Sequence, residues 1–121
     1  MGYELPIANG VCVVTPQVQD LLFRSLSDPT RRGLFERLCR EGELSVVALT
    51  AKAGVSQPVV SKHLGVLRDA GLVTGRHEGR ETRYSARPEA LRPLVDWAKD
   101  MAGFWEGRFD DLENLLRRMD Q

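Results

Sequence analysis

Residues 45–71 read SVVALTAKAGVSQPVVSKHLGVLRDAG, and two glycines in this stretch decide the fold. Ser45 is a helix-capping residue, and Val46, Val47, Leu49 and Ala53 form a short apolar run that Gly54 stops. Val55 is followed at once by Ser56, which caps a second helix. Its Val60, Leu64 and Leu67 recur at helical spacing until Gly71. So short a first helix and so tight a connection send the second helix off at a steep angle, the arrangement of a helix-turn-helix. After Gly71 the pattern changes from helical to alternating. Leu72-Val73-Thr74 and Thr82-Arg83-Tyr84-Ser85 flank the turn-forming stretch Gly75-Arg76-His77-Glu78-Gly79-Arg80. This predicts a β-hairpin with a basic tip, a wing at about residues 72–86.

Upstream, Thr15-Pro16 and Asp28-Pro29 are two further helix starts, each a capping side chain followed by proline in the first turn. Val18, Leu21, Leu22 and Leu26 stripe the first of these helices. Leu34, Leu38 and the pair Phe35/Cys39 stripe the second, which Gly42 ends. Residues 1–14, with Pro6 and Asn9-Gly10, read as a flexible arm. Downstream, Pro88 and Pro93 predict a turn before a long helix from Arg92 to Met119. The fold class is therefore mainly α with a small β-hairpin. It comprises a winged helix-turn-helix core over 15–87, with a recognition helix at about 56–70, and a C-terminal helix in 88–121.

A chain of 121 residues fits one domain and can bury a core without disulfides or metals. Cys12 and Cys39 stand far apart and no Cys/His set has zinc-site spacing. No apolar run approaches a membrane span or signal peptide, so a cytoplasmic protein with no membrane partner is expected. No Ser/His/Asp or Cys/His constellation and no phosphate loop is present, so an enzyme, a resident metal and a cofactor are not expected. The 17 basic and 17 acidic residues cancel, yet they are unevenly placed. Residues 56–87 hold six basic and three acidic groups, whereas 88–121 hold five and eight. A local basic region of the first kind is what a phosphate-binding surface needs; the second makes the last helix acidic.

The expected recognition helix turns Val60, Leu64 and Leu67 inward, leaving Pro58, Val59, Lys62 and Gly65 opposite, with Ser61 on the flank. These are small groups and one long cation, which a major groove about 12 Å wide admits. Ser56, Gln57 and Ser61 suit base edges or phosphates. Arg76, His77, Arg80 and Arg83 on the hairpin are placed to reach the DNA backbone. In the last helix Leu94, Trp97, Met101, Trp105, Phe109, Leu112, Leu116 and Met119 repeat at three and four residues, with Phe104 and Leu115 widening the stripe. The small bundle of residues 16–70 cannot cover such a stripe. A second copy of the chain can, with Val18 and Leu22 of the first helix alongside. Gly103 and Gly107 within that helix suggest close helix approach or space for a ligand between aromatic walls.

Several strings together resemble the ArsR-type (arsenic-repressor-like) winged-helix transcription regulators. They are Leu26-Ser27-Asp28-Pro29-Thr30-Arg31-Arg32, Val55-Ser56-Gln57-Pro58, Ser61-Lys62-His63-Leu64, Ala70-Gly71-Leu72-Val73 and Gly79-Arg80, in that order. Residues Pro88 to Trp105 resemble a subgroup with paired tryptophans in the last helix. The resemblance implies a homodimeric repressor on a palindromic operator, released by a signal, with residues from Ser56 to Ala70 as recognition helix. His63 recurs within that helix in the family and joins the expected DNA-binding set. Metal-sensing members carry two thiolates on the third helix, where this chain has Ser45 and Val47. The last helix has no His for the other common metal site. The subgroup lacking the usual metal ligands is therefore expected, with a small-molecule or redox inducer as a further partner. The alternative is a winged-helix protein-interaction module without DNA binding.

Overall fold

A computed structural model describes the backbone of residues 7–8, 11–12 and 16–120, and the side chains of residues 17–108 and 110–120. Of the expected arm it shows one antiparallel pair, β1 (Ile7–Ala8) against β2 (Val11–Cys12). The remainder of the arm, and the Thr15 cap, lie outside the described residues. Five helices follow: α1 (Pro16–Ser27), α2 (Pro29–Glu41), α3 (Val46–Ala51), α4 (Gln57–Asp69) and α5 (Arg92–Met119). A single 3-10 turn, Pro88–Leu91, precedes α5, where the two prolines predict a turn.

The caps explain the boundaries. Asp28 accepts a hydrogen bond from Arg31 N at 3.0 Å, and Ser45 Oγ accepts one from Ala48 N at 3.1 Å. Gly42, Gly54 and Gly71 have positive φ, which lets the chain leave α2, α3 and α4 abruptly. Ser56 stands at the N-cap of α4, but its side chain makes no capping bond. Its hydroxyl is left to face outward instead.

The wing is longer and tighter than its composition indicates. Strands β4 (Val73–Glu78) and β5 (Glu81–Ala86) pair from Val73↔Ala86 to Glu78↔Glu81, leaving only Gly79-Arg80 as the turn. Cross-strand pairing carries the polar residues 75–78 into the ladder, because an alternating strand needs only one apolar face. A third strand, β3 (Leu44–Ser45), joins β5 on its other edge through Leu44↔Tyr84 and Ser45↔Arg83. Two residues are too few to announce a strand by periodicity. At Gly75 a Cβ would meet Tyr84 Cε1 at 2.9 Å, so the buried tyrosine ring lies directly over the glycine.

The core joins Leu22, Leu34, Phe35, Leu38, Leu49, Val60, Leu64, Leu67, Leu72 and Val73, with Tyr84 closing it from the sheet. Leu22 is 2% exposed. Its expected place in a dimer face is thereby corrected: it is spent on the protomer's own core. Cys39, expected on the inner stripe with Phe35, is exposed on α2, and partial burial raises its thiol pKa above the ordinary value.

Candidate nucleic-acid interface

The open end of α4 is exposed to solvent. Ser56, Gln57, Pro58, Val59, Ser61 and Lys62 are all exposed, while Val60, Leu64 and Leu67 anchor the opposite side. Helix α3 is held beneath it by Arg37, whose Nη1 and Nη2 donate to Leu49 O and Ala48 O at 3.2 Å each. A cleft opens between this tip and the wing, lined among others by Gln57 and Ser61 from α4 and by Arg80 and Thr82 from the hairpin. Hydroxyl, amide and guanidinium groups thus line one concavity together with the Glu81 carboxylate, which is paired with Arg83 at 3.3 Å; such a mixed polar lining suits a base edge.

The wing cations divide into two kinds. Arg80 at the turn is exposed and, like Lys62 on α4, has no hydrogen-bond or ion-pair partner among the described residues. Arg76 is engaged: its guanidinium donates to Glu43 at 2.5 Å and to Glu78 at 3.0 Å. Arg83 Nη2 pairs with Glu81 at 3.3 Å. Its Nε lies 3.1 Å from Glu78 without hydrogen-bond alignment and is shut off from water. The expectation that Arg76 and Arg83 stand ready for phosphates is corrected accordingly, since their charges are matched locally by three carboxylates. Arg76 and the Ser85 hydroxyl hold the Glu43 carboxyl below its ordinary pKa, the arginine hydrogen bond contributing most. Glu43 was invisible to sequence reasoning because 33 residues separate it from Arg76. His77 is exposed on the hairpin with Nδ1 3.2 Å from Thr82 Oγ1.

His63 does not join the exposed set. It is half-buried on the flank of α4 that faces α2, with Nδ1 3.3 Å from Arg31 Nη1. Arg31 Nε donates to Ser25 O at 2.5 Å and Nη2 to Arg24 O at 3.1 Å. The structure gives His63 a contact within the protomer, apart from the exposed groups of the tip.

At the other end of the molecule, α5 carries an apolar face with little to cover it. Trp97, Met101, Phe104, Trp105, Leu112, Leu115, Leu116 and Met119 are all large, apolar and exposed. The ring of Phe23 on α1 meets Trp97 edge-on at 5.1 Å, which extends this surface onto α1. Arg108 lies over the Trp105 ring at 4.6 Å. Val18 and Leu94 are partly buried against the core, so they sit at the root of the face. The side chain of Phe109 lies outside the described residues. Gly103 and Gly107 fall on the polar side of α5, away from the stripe, and a Cβ at either would meet nothing within 4 Å. The expectation of close approach or a ligand space at these glycines is not supported by that placement.

The string Glu43–Leu49 does not fit a thiophilic metal. The Ser45 hydroxyl is engaged as the α3 cap and Val47 offers only an alkyl group, 62% exposed. Among the described residues no three His, Cys, Asp or Glu side chains cluster as metal ligands. Nor is any helix of the described residues long and apolar enough to cross a membrane.

Comparison with known proteins places these features in a family. The family model of a helix-turn-helix domain matches residues 26–76. The chain is 40% identical over 99 residues to the arsenical resistance operon repressor of Escherichia coli, covering 81% of each chain. It is 39% identical over 87 residues to the "Probable mercury resistance operon repressor" of Streptomyces lividans, covering 72% of this chain and 69% of that one. Its fold is similar to an ArsR-like transcriptional regulator from Rhodococcus sp. RHA1, with TM-score 0.64 and 28% identity over 82% of this chain and 92% of that one.

Proposed function

This chain belongs to the ArsR family of winged helix-turn-helix transcriptional regulators, and from that premise we propose that it is a homodimeric, sequence-specific DNA-binding repressor. The observation that carries the reading is the unobstructed tip of α4 beside an unpaired Arg80. Two such tips on a two-fold dimer would enter successive major grooves about 34–36 Å apart. Ser56, Gln57, Pro58, Ser61 and Lys62 face the groove, and Arg80 with His77 meets the flanking backbone. Arg76 and Arg83 brace the wing in the free protein, and phosphates can draw them off only by breaking these ion pairs.

The second copy docks on α5. Helix α5 is about 42 Å long at 1.5 Å per residue, and the protomer's core reaches only its first turns. An apolar stripe of this extent is larger than monomers leave exposed, and self-association through a two-fold contact covers it twice. Helix α1 contributes Phe23 at its edge, while Trp97, Met101, Trp105, Leu112 and Leu116 form the seam, with Phe109 in the same register. A repressor of this kind works in the cytoplasm, where the chromosome is.

The release signal is not a thiophilic metal held on α3, because Ser45 and Val47 supply no thiolate. A small molecule or an oxidant is the class that remains. Selection of duplexes from a random library on the purified protein tests the reading, followed by footprinting of the winner and sedimentation of the complex. Two protomers on one palindromic site are expected. A protein that enriches no duplex would sink the proposal in favour of a protein-interaction module.

A further inference from the structure

We propose that His63 is a positioning residue for the reading helix. Arg31 clamps its imidazole to the C-terminal end of α1, so the helix that packs on α5 sets the attitude of the helix that enters DNA. The proposal rests on the DNA-binding reading above and adds the part that aims it.

The geometry runs through one guanidinium. Arg31 sits in the first turn of α2, where the Asp28 cap fixes its backbone N–H at 3.0 Å. Its side chain then reaches three ways: Nε and Nη2 donate to Ser25 O and Arg24 O at the end of α1, and Nη1 meets His63 Nδ1 on α4. When Nδ1 accepts from the guanidinium, which can only donate, the imidazole proton sits on Nε2. Beside it, Arg32 Nη1 donates to Leu26 O at 2.9 Å, so the end of α1 is gripped by two neighbouring arginines. Helix α1 in turn carries Phe23 against Trp97 of α5. A planar fork with fixed donor directions transmits orientation as well as holding force, which a lysine at position 31 could not do. The two strings Leu26–Arg32 and Ser61–Leu64 therefore meet in space, and the chain between the apolar seam and the reading tip is short: α5, α1, Arg31, His63, α4.

The test uses the full chain and a duplex recovered by selection on the wild type. His63→Leu removes the acceptor. It is expected to weaken binding about tenfold, the scale of one hydrogen bond to a charged group, while leaving the salt slope unchanged because no phosphate contact is lost. In His63→Asn the side-chain oxygen stands close to where Nδ1 was, so binding returns to within about twofold of wild type. Arg31→Lys also loses the bonds to Ser25 O and Arg24 O, so it should weaken binding at least as much as His63→Leu, and the double variant should be no worse than Arg31→Lys alone, since the His63 link is already cut there. Nitrogen-15 spectra of the imidazole supply an independent reading should His63→Leu not fold. The Nδ1 signal should be of the acceptor type, insensitive to added duplex and displaced by Arg31→Lys. The proposal is overturned if His63→Leu binds like wild type, if His63→Asn gives no recovery, or if duplex alone moves the Nδ1 signal. Should the wild type enrich no duplex, the DNA reading fails separately, and the Arg31-dependent imidazole signal still decides whether the clamp exists.

Discussion

The tip of α4 and the apolar face of α5 are both open to solvent, but they are open in different ways. At the tip the exposed groups are mostly small or polar, with one long cation, and the structure around them is tied down by caps, by Arg37 and by the Glu43–Arg76 bridge. Along α5 the exposed groups are large and apolar, and past the first turns almost nothing from the same protomer touches them. A solvated polar tip is stable as it stands. An uncovered row of tryptophan, phenylalanine, leucine and methionine is not, because full burial of each large side chain is worth about 1.5–3 kcal/mol and these are left roughly half in water. The difference teaches that the protomer is finished at its reading end and unfinished at its C-terminal helix.

The sharpest way to break this contrast is to put charge into the unfinished face. Leu112→Glu with Leu116→Glu should yield a folded monomer in sedimentation. DNA affinity should drop by at least about a hundredfold, because the second half-site would no longer be held nearby. A double variant that stays dimeric would move the interface elsewhere. At the finished end, Lys62→Ala and Arg80→Ala should each weaken binding about tenfold and lower the salt slope by about one per protomer. Arg76→Ala and Arg83→Ala should alter that slope less, since their charges are already matched. Equal slopes for all four would erase the distinction between free and engaged cations.

Smaller effects probe the frame. Gly75→Ala forces a methyl against the Tyr84 ring and should cost about 1–3 kcal/mol in denaturant titration, the usual penalty of overpacking. The Glu43 carboxyl is held below its ordinary pKa chiefly by Arg76. Its stabilising effect is therefore complete at neutral pH, above the unfolded value, and disappears as the pH falls through the lowered folded value. Glu43→Gln should remove that acid-side dependence from the melting curve while leaving the neutral-pH melt only slightly lowered. Gly103→Ala, on the polar side of α5, should raise stability by about 1 kcal/mol and leave dimerisation untouched. A loss of dimer there would return the small residues to the seam.

The helix-turn-helix was legible because its signals are local: Ser45, Gly54, Ser56 and Gly71 punctuate a plain helical period. The long helix was legible for the same reason, down to the turn forced before Arg92. What escaped depends on partners distant in the chain. The ladder pulled Gly75–Glu78 into a strand against residues that composition alone assigned to a turn. Glu43 reached Arg76 across 33 positions, and Arg31 reached His63 across 32, with no pattern in either neighbourhood to suggest it. Cys39 shares a helical stripe with Phe35, yet its side chain stays exposed on α2, and Gly103 falls on the polar side of α5, away from the aromatic row.

Ser45 serves two structures at once, as a rung of the sheet beside Arg83 and as the residue that starts α3. The hairpin and the helix pair thus share one anchor. On the proposed reading, a duplex meeting both would favour easily deformed base steps in its flanks even where no side chain reads them.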